Sequence, residues 1–296
     1  MLDFILLDIC QVKCNTVHEV IAMTGQLILE KQDLTYLSWE IGRNSSGTAG
    51  SFMKAYSDIS GKKIYYKLSR YEEGNGIVGH ECVNELIVDR LLDKLGIDHL
   101  HYQLTHADIL INGNVYDTFL CASEDFKQRG ESKVALDSFY AIERNEGETP
   151  IAFCKRFGWE EYINQMLVVD FLILNRDRHG ANIEVLRNSR KKTMRLAPLF
   201  DHGLSFLFNC STEAQMERYD ILEDKPTNNF IGSRSTRENL NLIAPDGIPD
   251  LSPLQESDRA DLMAGLDEIV PVPLLDRIWE MIWKRWCYYE DFCNSR

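Results

Sequence analysis

The sequence predicts an α+β chain in two parts, a small mixed N-terminal part and a mainly helical C-terminal part. Two patterns predict it. Up to about residue 120, strand-like and helix-like runs alternate, and after residue 125 long helical periods take over. The length agrees, since 296 residues at about 150 per domain suggest roughly two domains or one two-part unit. Apolar residues at 44% and charged residues at 26% fit a globular chain with ample core and argue against disorder.

Taken in order, Gly42 to Gly50 (GRNSSGTAG) is a Gly/Ser-rich loop, and Lys63 to Leu68 (KIYYKL) follows as a strand. Glu81 to Leu95 repeats Val83, Leu86, Ile87, Leu91 and Leu95 at helical spacing, closed by Gly96. Ile109–Ile111 and Val115–Leu120 flank Asn112-Gly113, a strong short-range hairpin signal. Glu160 to Leu174 reads as a helix ending in the polar loop NRDRHGAN, Asn175 to Asn182. Two short strands, 183–186 and 194–196, are joined by NSRKK and lead into Pro198-Leu199-Phe200-Asp201. An irregular stretch, 224–254, precedes helices near 255–269 and 273–292. The second repeats Ile278, Ile282, Trp286 and Tyr289, an aromatic stripe of core type.

Charge and composition exclude some classes. The 46 acidic and 32 basic residues leave a net charge of −14, which argues against a protein that coats nucleic acid or an anionic membrane. No run approaches the ~20 apolar residues needed to span a bilayer. Asp3 and Asp8 do not suit a signal peptide, so the expected location is cytoplasmic. The eight cysteines form no C-x-x-C pair, which speaks against a zinc or disulfide framework. His99, His101 and His106 have no carboxylate or cysteine cluster beside them in sequence, and are expected at the surface or half-buried.

The informative constellation is Asp177-Arg178-His179-Gly180-Ala181-Asn182, followed nineteen residues later by Asp201-His202-Gly203. Either Asp alone could be a turn or cap residue. The ordered set of helix, D-x-x-x-x-N, hairpin and D-x-G is the arrangement of phosphoryl transfer. The first Asp can accept or orient a hydroxyl proton, and the Asn and second Asp are hard oxygen ligands for Mg²⁺ on nucleotide phosphates. The N-terminal part offers partners. Ser46, Gly47, Thr48 and Gly50 provide N–H groups and hydroxyls for phosphates, and Lys67 is the strand lysine. Glu85 is its helix glutamate, with Glu81 as the alternative. Arg176, Arg178 and His179 could stabilise transferring charge. Arg178 could equally anchor the loop, with Asp170 hydrogen bonding to it, and His179 is expected near the chemistry.

NRDRHGAN followed by LFDHGLS resembles the HipA-like kinases, the serine/threonine kinase toxins of bacterial toxin–antitoxin modules. The D-R-H-x-x-N loop is also similar to that of phosphatidylinositol 3- and 4-kinases. The resemblance, over roughly 42–243, implies a two-lobed protein-kinase-like fold: an N-lobe over 1–120, a hinge at 121–124 and a helical C-lobe over 125–296. It implies Asp177 as the catalytic residue, Asn182 and Asp201 on Mg²⁺, Lys67 with Glu85, and adenine held near Cys121 and Ser123 of the segment Phe119 to Ser123. The activity implied is transfer of the ATP γ-phosphoryl group to a protein Ser or Thr, with an antitoxin as a further partner and neither nucleic acid nor membrane bound directly. The alternatives are a small-molecule or lipid kinase, and a non-catalytic pseudokinase-type module. The segment Asn228 to Ser235 occupies the position of an activation or substrate-docking loop.

Overall fold

The computed structural model describes residues 26–41, 52–59 and 61–296. The described residues fall into two compact units, one within 26–78 with 101–125 and one of 79–100 with 126–296.

The first unit is a six-stranded sheet in the order β1-β7-β8-β4-β3-β2. Its strands are β1 (Leu27–Asp33), β2 (Glu40–Ile41), β3 (Met53–Ile59), β4 (Lys62–Leu68), β7 (Gln103–Ile111) and β8 (Asn114–Glu124). The short strands β5 (Tyr71–Glu72) and β6 (Gly76–Ile77) form a separate pair. All contacts in the main sheet are antiparallel except β1 on β7. The expected Asn-Gly hairpin joins β7 to β8, with φ of 50° at Asn112 and 83° at Gly113. Two consecutive positive φ values give the turn the twist of its flanking strands. Both strands run further than the hydrophobic pattern suggests, because half-exposed residues such as His106 and Thr118 still complete the ladder. Alternation along β4 buries Ile64, Tyr66 and Leu68 in a cluster with Ile109, Ile111 and Leu120. That period of two puts Lys67 on the opposite face.

The second unit is mainly helical: α1 (Glu81–Leu95), α2 (Leu136–Glu143), α3 (Pro150–Arg156), α4 (Glu160–Leu172), α5 (Glu213–Arg218), α6 (Thr236–Leu240), α7 (Arg259–Met263) and α8 (Val272–Asn294). Gly96 ends α1 as expected, at φ 75°, and Ile97 N–H reaches back to the Leu92 carbonyl at 3.0 Å. The single helix expected over 255–269 is instead broken. Gly265 adopts φ 72° between α7 and a 3₁₀ turn at Leu266–Glu268, which an α-helix cannot accommodate. Helix α8 buries the stripe Ile278, Ile282, Trp286 and Tyr289. Its Arg285, 1% exposed, donates to the carbonyls of Phe171, Ile221 and Glu223 at 2.9–3.0 Å. The two expected strands form β11 (Glu184–Asn188) and β12 (Thr193–Leu196), to which β9 (Ser132–Ala135) adds a third that no pattern announces. The stretch 224–254, expected to be irregular, contributes β13 (Asn228–Asn229), paired in parallel with β10 (Asp177–Arg178).

The histidine expectation needs correcting. His99 is buried, and the fold brings Asp89 of α1 to its Nε2 at 3.1 Å, with Asp93 at 3.8 Å. A helix and its following loop converge here, which spacing along the chain does not reveal. His106, in the sheet unit, is half-buried, bonds to Asp117 at 2.5 Å and stacks on Phe119. The described cysteines are free thiols, with Cys82, Cys121, Cys154 and Cys210 buried.

Two buried histidines set opposite pH dependences. Burial pushes His80, at the N-terminus of α1, down to about 4. Burial also opposes charge on His99, but hydrogen bonds to Asp89 and the Ile97 carbonyl, with attraction to Asp89 and Asp93, raise its pKa. Relative to an unfolded value near 6.5, the His80 contribution is present above about pH 6.5 and lost as pH falls toward 4. At about 1.4 kcal/mol per pH unit, that loss is on the order of 3 kcal/mol. The His99 contribution is present below about pH 6.5 and lost as pH rises through its folded value. Urea unfolding from pH 4 to 9 should therefore show a shallower acid limb in His80→Gln and a shallower alkaline limb in His99→Gln, each relative to wild type.

Candidate active site

The helical unit brings the two motifs of the constellation together. Helix α4 delivers the chain to the D-R-H loop, and Leu174, at φ 49°, turns it out of the helix. Backbone bonds then join that loop to the D-H-G segment: Arg176 N–H to the Leu204 carbonyl at 3.0 Å and Phe206 N–H to the Ile173 carbonyl at 2.8 Å.

Arg178 settles the alternative that its sequence position left open. It is 1% exposed and binds Asp170 of α4 with Nε at 3.1 Å to Oδ2 and Nη2 at 2.9 Å to Oδ1. Its Nη1 donates to the carbonyls of Asn182 at 3.3 Å and Phe200 at 3.0 Å. Burial opposes its charge, yet Asp170, and to a smaller degree Tyr162 and Asp201, raise its pKa. Arg178 is an anchor, with its donors spent on holding protein groups. Asp170 also accepts from Asn175 Nδ2 at 2.9 Å, and Asn175 Oδ1 accepts from Asp177 N–H at 3.1 Å. One helix carboxylate thereby organises the loop through two relays.

Asp177 is 8% exposed as a residue. Its carbonyl accepts from Asn182 Nδ2 at 2.8 Å, and its Oδ1 accepts from Asn228 Nδ2 at 3.1 Å. The Asn182 bond occupies the amide nitrogen and leaves its side-chain oxygen as a hard donor, the type that suits a small divalent cation. Asp201 adds a carboxylate and adopts φ 61°, unusual for any residue with a side chain but tolerated best by Asp and Asn. His179 is half-buried, with Nδ1 3.5 Å from Asp177 Oδ1. Space forbids a side chain at one glycine and is tight at another. A Cβ on Gly180 would lie 2.4 Å from Asp137 Cβ, and one on Gly203 would lie 3.2 Å from Glu81 Cβ.

Glu85 is 1% exposed and accepts the His202 N–H on Oε2 at 2.8 Å. Asn84 donates to the carbonyls of Gly203 at 3.0 Å and Ser205 at 3.1 Å. Glu85, expected as the helix glutamate that partners Lys67, grips the D-H-G turn. Lys67 belongs to the sheet unit, where it pairs with Lys54 and Cys121 in the ladder. Cys121 and Ser123 lie within β8, opposite Lys67 and Tyr65. Ser46, Gly47, Thr48 and Gly50 fall outside the described residues. A further ligand-type group, Asp89, Asp93, His99 and His101, has ligand atoms within 4.8 Å of one another, with Asp93 and His101 exposed. With Nδ1 of His99 on the Ile97 carbonyl at 2.8 Å and Nε2 on Asp89, an imidazolium satisfies that group.

Sequence reasoning missed the hydrogen bond from Asn228. Its only signal is the position of the segment after D-x-G, because the pairing of β13 with β10 joins residues 51 apart.

No protein-family model matches the chain, and no curated protein matches it. Solved structures do match in fold. The proinflammatory kinase CtkA of Helicobacter pylori aligns over 86% of this chain and 94% of its own, with a TM-score of 0.53 and 14% identity. HipA of Shewanella oneidensis MR-1, solved with HipB and operator DNA, aligns over 92% of this chain and 62% of its own, with a TM-score of 0.39 and 16% identity. The chain has a kinase fold, mixed α+β with a sheet-rich N-terminal part, in agreement with the resemblance carried by the motifs.

The anchor is testable through stability. Asp170→Leu and Arg178→Met each strand one buried partner, and each should lower unfolding free energy by about 3–5 kcal/mol in urea titrations. The double variant Asp170→Leu/Arg178→Met should lose less than the sum of the two single losses.

Proposed function

We propose that the protein is an ATP- and Mg²⁺-dependent kinase that transfers the γ-phosphoryl group to a Ser or Thr hydroxyl of a protein. The observation that carries this reading is the guanidinium of Arg178, which ties the carbonyls of Asn182 and Phe200 to one carboxylate. The D-x-x-x-x-N and D-x-G motifs are thereby one hydrogen-bonded body, as phosphoryl transfer requires of its base and metal ligands.

In this reading Asp177 accepts the proton of the incoming hydroxyl as its oxygen bonds to the γ-phosphorus. The bond from that phosphorus to the β–γ bridging oxygen breaks, and ADP leaves with its electron pair. Catalysis comes chiefly from positioning and charge, since the transferred group needs little covalent help. Asn182 Oδ1 and the Asp201 carboxylate would hold Mg²⁺, and their oxygen chemistry fits it. Bound there, Mg²⁺ would neutralise charge on the nucleotide phosphates. His179 stands beside the Asp177 carboxylate. Lys67 takes the phosphate-neutralising role the resemblance gives it, and Glu85 supports the turn that carries Asp201. The cytoplasm is the proposed location. The resemblance carried by the D-R-H and D-H-G motifs adds an antitoxin-type partner to the same proposal.

The test is labelled ATP with Mg²⁺ and a cell lysate as the source of acceptors. Wild type should label a protein band. Asp177→Ala and Asp201→Ala should each fall to background while both still fold and unfold cooperatively. Transfer retained by either pure variant would sink the assignment. Label confined to small molecules or lipid would favour those acceptors, and ATP binding without transfer would favour a pseudokinase.

A further inference from the structure

We infer that Asn228 is a positioning residue that orients the Asp177 carboxylate for proton acceptance, an inference that rests on the kinase reading above. The stretch around it has the least pattern of any in the C-terminal part, yet the structure ties it down at many points. Two backbone bonds dock β13 on the D-R-H loop, from Asn228 N–H to the Arg176 carbonyl and from Phe230 N–H to the Arg178 carbonyl, both at 2.9 Å. Arg176 Nε adds a bond to the Pro226 carbonyl at 2.8 Å. The loop closes on itself through Thr227 N–H to the Arg234 carbonyl at 2.8 Å. Asn229 Oδ1 accepts from Ile231 N–H at 2.9 Å, and Asn239 Oδ1 accepts from Ser233 N–H at 2.7 Å.

That scaffold delivers one side-chain bond to the site, from Asn228 Nδ2 to Asp177 Oδ1. The Asp177 backbone is already fixed on both sides, its N–H by Asn175 and its carbonyl by Asn182. The remaining freedom is rotation of the carboxylate, and the Asn228 bond removes it. Oδ1 already accepts from the amide, which leaves Oδ2 with both lone pairs for the hydroxyl proton. His179 Nδ1, at 3.5 Å from Oδ1, is too distant to impose the same constraint. Docking of the segment does not need this bond, because backbone groups and Asn229 and Asn239 supply it.

The inference is tested by steady-state transfer from ATP with Mg²⁺ to myelin basic protein, and by a measurement independent of activity. Asn228→Ala should lower kcat by about 10- to 100-fold while KM for ATP stays within about twofold, the loss expected when a reacting group is slightly misplaced. Asn228→Asp should lower kcat further, because it faces the carboxylate with a like charge. On an Asp177→Asn background, Asn228→Ala should cost nothing more. In ¹H–¹⁵N spectra the Asn228 side-chain amide should shift and lose exchange protection in Asp177→Ala. Wild-type kcat in Asn228→Ala beside an inactive Asp177→Ala would falsify this inference alone. A parallel rise in KM, a loss undiminished on the Asp177→Asn background, or an unchanged amide resonance would also overturn it. Equal transfer by wild type and Asp177→Ala would remove the kinase reading, and the positioning role with it.

Discussion

The buried ion pair between Arg178 and Asp170 is the constraint on which the site depends. Taking two charges out of water costs several kcal/mol per ion, and a buried pair is often no more stabilising than apolar residues of the same size. Stability alone is therefore a poor explanation for its presence. What the pair provides is convergence. A planar guanidinium has five donors in fixed directions, and here they reach one carboxylate and two carbonyls from different motifs. No apolar substitute could bind the carbonyl of Asn182 and the carbonyl before Asp201 at the same time. The cost of burial is the cost of giving two loops a common reference point.

The same logic extends outward from Asp170. Through Asn175 it fixes the N–H of Asp177, and Asn182 then fixes the carbonyl of Asp177. Each step in this chain is an asparagine, a side chain with a donor and an acceptor that can pass direction from one partner to the next. Charge stays at the ends of the relay, at Arg178 with Asp170 and at Asp177. A loop built only of backbone hydrogen bonds would have to be a regular element, and these side-chain bonds let an irregular loop be fixed as firmly.

Much of this was open to reading from the sequence, for identifiable reasons. Lys67 on a strand, the Asn112-Gly113 turn and the helix from Glu81 to Gly96 follow from short-range patterns, and the structure has all three elements. The D-R-H-x-x-N and D-H-G motifs are short-range patterns too. What the sequence hid depends on contacts between distant segments. Arg178 could not be assigned to anchoring or to chemistry until Phe200 was placed beside it, 22 residues away. The carboxylate beside His99 and the amide beside Asp177 were invisible for the same reason. The broken helix after residue 258 is different. Gly265 was in plain view, and the apolar period around it outweighed the signal that it gave.

Helix α1 shows why periodicity finds a helix without finding its purpose. Beside its apolar residues it buries Glu81, Asn84, Glu85 and Asp89, so both polar and apolar faces are inside the protein. A pattern of hydrophobic residues every three or four positions describes only the first face. The second face serves the D-H-G turn, where Asp201 sits in a left-handed conformation that costs on the order of 1–3 kcal/mol. The bond from His202 N–H to the Glu85 carboxyl, worth about 1 kcal/mol, acts against that strain. Asn84 adds two more bonds just beyond it, and Gly203 lets the turn approach the helix closely enough to make them. Glu85 and Asn84 of α1 thus hold a strained aspartate in place, while Asp89 serves His99. The net acidity of the chain, read first as a property of its surface, is in this helix a property of the site's support.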